Sequence, residues 1–148
     1  MTSALKDLGG SPSGLNFTRY LFAADAIINW VIGAACLIFP RTVLQLLFTA
    51  VILSPIWLRF LGGGFLAFAL WQTAMVARDR VANPTVMGFA AWMAVLPAII
   101  LGGSLLLLPL PLRPASRALL WIGEAYMLLL SAWYAVVHLG LRSSGRAG

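Results

Sequence analysis

Charge is what this chain has least of. Ten of its 148 residues are Lys or Arg and four are Asp or Glu, so 9% are charged, against about 25% in a soluble domain. Hydrophobic residues make up 61%, where roughly 45–50% is usual, and the mean hydropathy is +0.95. A soluble fold of this size exposes too much surface to water to carry that composition. The lipid bilayer is the expected solvent and first partner. Cysteine is nearly absent as well. Cys36 stands alone, which excludes an internal disulfide and a cysteine-based metal cluster. His138 is the one histidine, so a single copy cannot build a bis-histidine haem, and only a lone axial ligand is left open. No group of residues has zinc or iron ligand spacing, and no phosphate loop, nucleophile elbow or metalloprotease motif is present. No metal is expected, and the residues name no cofactor.

The net charge of +6 does not make a nucleic-acid surface, because no basic stretch interleaves with aromatics. The arginines instead punctuate apolar runs, at Arg19, Arg41, Arg59, Arg78, Arg80, Arg113, Arg117, Arg142 and Arg146. A helix needs roughly 20 apolar residues to cross a hydrocarbon core of about 30 Å. Four runs qualify: Tyr20 to Phe39, Ile56 to Ala77, Val86 to Leu108 and Ala118 to Leu141. Between the first two lies TVLQLLFTAVILS, Thr42 to Ser54. It is too short to cross, and Thr42, Gln45 and Thr49 recur at helical spacing, which suits a short interfacial helix or a re-entrant turn. The fold expected is therefore all-α: a polytopic membrane protein with a four-helix bundle and a short interfacial helix after the first span. Residues 17–142 form one membrane domain. Residues 1–16, Gly/Ser-rich and without the apolar core of a cleavable signal, read as a flexible tail, and residues 143–148 as a second tail. Four crossings put both ends on one side. Counting basic residues, six against four, orients both ends to the cytoplasm of a bacterial inner membrane.

Ionisable groups inside spans are costly and usually face the bundle. Asp25, Asn29, Gly33 and Cys36 fall on one face of the first span, and Trp121, Glu124, Ser131, Tyr134 and His138 on one face of the fourth. By helical rise, Glu124 lies about 9 Å and Arg59 about 5 Å from the same membrane surface, which predicts an Arg59–Glu124 pair. Asp25 is expected to meet His138, or Arg19 or Arg78 by snorkelling. Two readings are compatible with this polar core: clamps that fix helix register, or an acid–base site at Asp25 or Glu124. The triplet Gly62-Gly63-Gly64 and the pair Gly102-Gly103 read as close helix packing.

The segments "AADAIINWVIGAACLIFP", "LRFLGGGFLAFALW" running into "ARDR", and "WIGEAYMLLL" resemble those of DoxX-like small bacterial membrane proteins, over roughly Arg19 to Arg142. The resemblance implies a four-helix bundle in a functionally mixed group that includes accessory subunits of membrane oxidoreductases. It carries over no catalytic residue. Two classes of function follow. One is an accessory or apolar-ligand-binding subunit, within a larger membrane complex or as a homo-oligomer. The other is a small membrane enzyme acting on a lipid, quinone or isoprenoid, with an intramembrane carboxylate as acid/base.

Overall fold

The computed structural model describes residues 12–50 and 54–144. It is all-α, with helices α1 (Pro12–Ile38), α2 (Pro40–Leu47), α3 (Pro55–Ala77), α4 (Pro84–Leu107) and α5 (Pro114–Ser144). By length and composition α1, α3, α4 and α5 are four membrane spans, and α2 is the short helix after the first. Each helix opens on a proline. Proline lacks an N–H that would be unsatisfied there in any case, and its fixed φ suits the first turn. Two starts also have side-chain caps: Ser54 Oγ accepts from the Ile56 N–H at 3.4 Å and Asn83 Oδ1 from the Thr85 N–H at 2.8 Å. The last apolar run begins at Ala118. The helix begins four residues earlier.

The expected tails shorten for the same reason. Pro12 starts α1 inside the supposed 1–16 tail, and α5 continues to Ser144, past the expected end at Arg142. The rest of those tails, residues 1–11 and 145–148, lies outside the described residues. The interfacial helix is also shorter than the run Thr42 to Ser54. It starts at Pro40 and ends at Leu47, and residues 51–53 lie outside the described part. Thr49, expected on its polar stripe, leaves the helix and bonds to the Pro111 carbonyl through both N–H (2.7 Å) and hydroxyl (2.9 Å).

The spans pair as two antiparallel hairpins, α1 with α3 and α4 with α5. In the first, Gly33 and Gly62 let the backbones touch. A Cβ on Gly62 would stand 2.8 Å from the Gly33 carbonyl oxygen and 2.9 Å from the Leu37 nitrogen. Between the hairpins the layer is aromatic. Phe22 meets Trp71 and Tyr134 edge-on, with ring centroids 5.9 and 5.6 Å apart, Trp71 meets Phe89 at 4.8 Å, and Phe17 meets Trp133 at 5.2 Å. Met87, Val137 and Leu130 complete this core.

One face of the bundle carries the start of α1, the end of α5 and the α3–α4 turn; we call it the terminal face. The turn is a Schellman motif, with the Arg80 N–H on the Met75 carbonyl and the Asp79 N–H on the Val76 carbonyl. Asp79 takes the left-handed position at φ 52°, which aspartate tolerates better than most residues. Its carboxylate meets Arg19 at 3.0 Å, so Arg19 is occupied there and not at Asp25. The opposite face, the loop face, holds α2 and the loop from 108 to 113. The Arg113 N–H donates to the Leu47 carbonyl, Phe48 and Leu112 form an antiparallel bridge, and Ser116 Oγ donates to the Leu46 carbonyl. This ties the end of α2 to the second hairpin. Single cysteines placed at Arg41 and Arg113 in a Cys36→Ser background are expected to react with a membrane-impermeant maleimide from the same side. Reaction from opposite sides would rule the hairpin arrangement out.

Candidate functional site

Asp25 sits on the face of α1 that meets the other spans, 6% exposed. Gln72, fully buried on α3, donates its Nε2 to Asp25 Oδ2 at 2.6 Å and accepts at Oε1 from Asn29 Nδ2 at 3.0 Å. From α5, the Tyr126 hydroxyl reaches Oδ1 at 3.4 Å and the Tyr134 hydroxyl reaches Oδ2 at 3.5 Å. The first-span stripe therefore faces inward as its spacing predicts, with Asn29 in the network and Gly33 and Cys36 against Gly62. The partners differ from those expected. Neither His138, Arg19 nor Arg78 is bonded to Asp25. Gln72 and Tyr126 were not singled out from the sequence. The signal for Gln72 was present: an uncharged polar side chain inside a span, four turns from its start, needs a partner as much as a charged one does.

The α5 stripe divides in two. Tyr134 points to Asp25 and the core. Glu124, Ser131 and His138, each seven residues from the next, meet α4 instead, while Trp121 is 39% exposed. Opposite them α4 presents small residues at intervals of three and four: Gly88, Ala91, Val95, Ala98 and Gly102. A Cβ on Gly88 would stand 2.9 Å from His138 Nδ1, and one on Gly102 would stand 2.9 Å from Glu124 Oε1. Ser131 Oγ donates to the Ala91 carbonyl at 3.0 Å. His138 Nδ1 lies 2.5 Å from the Pro84 carbonyl. A carbonyl only accepts, so Nδ1 carries the hydrogen, and Nε2 is the ring atom left for another contact.

The expected Arg59–Glu124 pair does not form. Among the described residues the ion pair is Arg19–Asp79. Arg59 is exposed and lines a shallow hollow of about 420 Å³ at the loop face, with Arg41, Thr42 and Pro55. Helical rise sets depth but not azimuth, and Arg59 is rotated away from α5. Glu124 is 7% exposed, and its Oε2 has no hydrogen-bond partner.

Between Gly88, Ala91, Trp92 and Val95 of α4 and Ser131, Ala135 and His138 of α5 lies a groove of about 250 Å³. It is open on its outer side, where Trp92 is 64% exposed. Among the described residues no three His, Cys, Asp or Glu side chains gather as a metal site would require. Compared with protein-family models, curated proteins and solved structures, the chain shows no match. The DoxX-like resemblance thus rests on the short segments quoted above.

Proposed function

We propose that this small polytopic membrane protein is a non-catalytic binding subunit that holds an apolar, hydroxyl-bearing molecule in the α4–α5 groove. The observation that carries this reading is the groove itself, which opens toward lipid and has His138 in its lining. Largely apolar walls with few polar groups are the usual composition of a small-molecule site. Because Nδ1 is committed to Pro84, Nε2 of the neutral ring accepts, and the group complementary to that form is a donor such as the hydroxyl of a quinol or prenol. The best-surrounded carboxylate, Asp25, has both oxygens bonded inside the bundle and serves register instead of turnover. The DoxX-like resemblance supports the same class, an accessory subunit of a larger membrane complex in a bacterial inner membrane. The basic bias supports both ends facing the cytoplasm.

A diazirine-bearing prenylated quinol tests the groove. In liposomes it is expected to label peptides containing 88–95 or 131–138 saturably. The change Ala135→Leu should remove most of that labelling without lowering the unfolding temperature. Labelling spread evenly over the lipid-facing helices, or unaffected by Ala135→Leu, would count against the groove. The enzyme reading has one observation in its favour, the unpartnered Glu124, and it requires conversion of the probe, which the same samples would reveal by mass.

A further inference from the structure

We propose that Glu124 is a proton-exchange site in the α4–α5 seam, reached laterally from the membrane and distinct from the sealed Asp25 network. Three observations meet at this residue. The residue is only 7% exposed, and Oε2 has no donor. The helix facing it, α4, contains no ionisable residue at all. Its immediate neighbour there is Gly102, whose missing side chain makes room for the carboxyl.

The charged and titratable groups of the surrounding helices are engaged elsewhere. On α5, Arg117 donates to the Leu110 carbonyl at 3.4 Å, Tyr126 and Tyr134 turn to Asp25, and His138 turns to Pro84. On α3, Arg59 lies with Arg41 of α2 at the loop face. On α1, Asp25 is held by Gln72. An ionisable group buried in hydrocarbon with neither cation nor donor is costly to keep there, which marks the position as functional. The helix surface next to it is bare: at Gly103 and Gly123 a Cβ would meet nothing within 4 Å. Gly102 packs against the carboxyl, and Gly103 and Gly123 leave the adjoining surfaces of both helices without side chains. Asp25 is as deeply buried but has both oxygens bonded, by Gln72 and by the hydroxyls of Tyr126 and Tyr134.

An apolar carbodiimide reads this directly. The carboxylic O–H adds across one C=N bond, the carboxyl oxygen bonding to carbon and the proton passing to nitrogen. The resulting O-acylisourea rearranges to a stable N-acylurea with no group lost. In liposomes, dicyclohexylcarbodiimide is expected to place a single adduct on the peptide containing Glu124, more slowly as the buffer is made more alkaline. The water-soluble ethyl-dimethylaminopropyl reagent should leave that peptide unmodified. The adduct should be lost in Glu124→Gln, kept in Asp25→Asn, and reduced in Gly123→Leu, which adds bulk to the bare surface next to the carboxyl. The wild-type peptide map decides the matter even if a variant fails to fold. An adduct on Asp25 in place of Glu124, no adduct, or labelling indifferent to pH would overturn the proposal. The groove labelling above is independent of this result.

Discussion

Gly62→Ala is expected to destabilise the protein by about 1–3 kcal/mol, the usual cost of overpacking, and Gly62→Leu to prevent the α1–α3 hairpin from closing. The new methyl group would meet backbone atoms, the Gly33 oxygen at 2.8 Å and the Leu37 nitrogen at 2.9 Å. Backbone inside two helices cannot swing aside as a side chain can. Gly63→Ala and Gly64→Ala are the controls. Both positions are open, and alanine favours helix over glycine by about 1 kcal/mol, so these changes should be neutral or stabilising. Thermal unfolding in detergent measures all four variants. A Gly62→Ala protein as stable as Gly64→Ala would show that the two backbones do not touch.

The second large effect is expected at Gln72. Its side chain bonds Asp25 on one end and Asn29 on the other, so Gln72→Leu takes a partner from two buried groups at once and leaves Asp25 only the longer tyrosine contacts. A single interhelical hydrogen bond in a membrane protein averages about 0.6 kcal/mol. Leaving buried partners unsatisfied costs about 1–3 kcal/mol each, and this sum, about 2–6 kcal/mol, should dominate. Replacing the whole set, Asp25→Leu with Asn29→Leu and Gln72→Leu, removes the stranded groups and should regain much of the loss. Chemical unfolding of the single and triple variants in the same detergent gives the comparison. If Gln72→Leu unfolds like the parent, the network is not a clamp.

The four spans were legible because the bilayer imposes a length and a composition that few other environments do, and the arginines mark where each run ends. The inward face of α1 was legible for a related reason: polar residues at Asp25 and Asn29 with small ones at Gly33 and Cys36 leave one direction for the bundle. Partner choice was not legible. Arg59 and Glu124 share a depth, yet facing requires the rotation of each helix, which side-chain packing sets. Gln72 carries no charge to mark it, yet in hydrocarbon any unpaired polar group is costly. The split of the α5 stripe was also hidden. Glu124, Ser131 and His138 repeat at seven residues and Tyr134 lies three beyond Ser131, a small angular step that here separates two neighbours, α4 and α1.

The hairpin pairing also bears on synthesis. Each tight seam joins spans adjacent in the chain, so the Gly33–Gly62 contact can close before α4 has left the ribosome, and the α4–α5 seam closes on the last helix alone. Contacts between segments close in sequence form early, because little chain entropy is lost in bringing them together. What must wait is the tie between Phe48 and Leu112 and the hydrogen bond from Trp133 to Thr18, at opposite faces of the bundle. Until α5 is inserted, the Asp25 carboxyl lacks both tyrosines and the first hairpin has an open polar flank in lipid. The half-made protein is thus the state most exposed to membrane quality control, and the last helix is what ends that exposure.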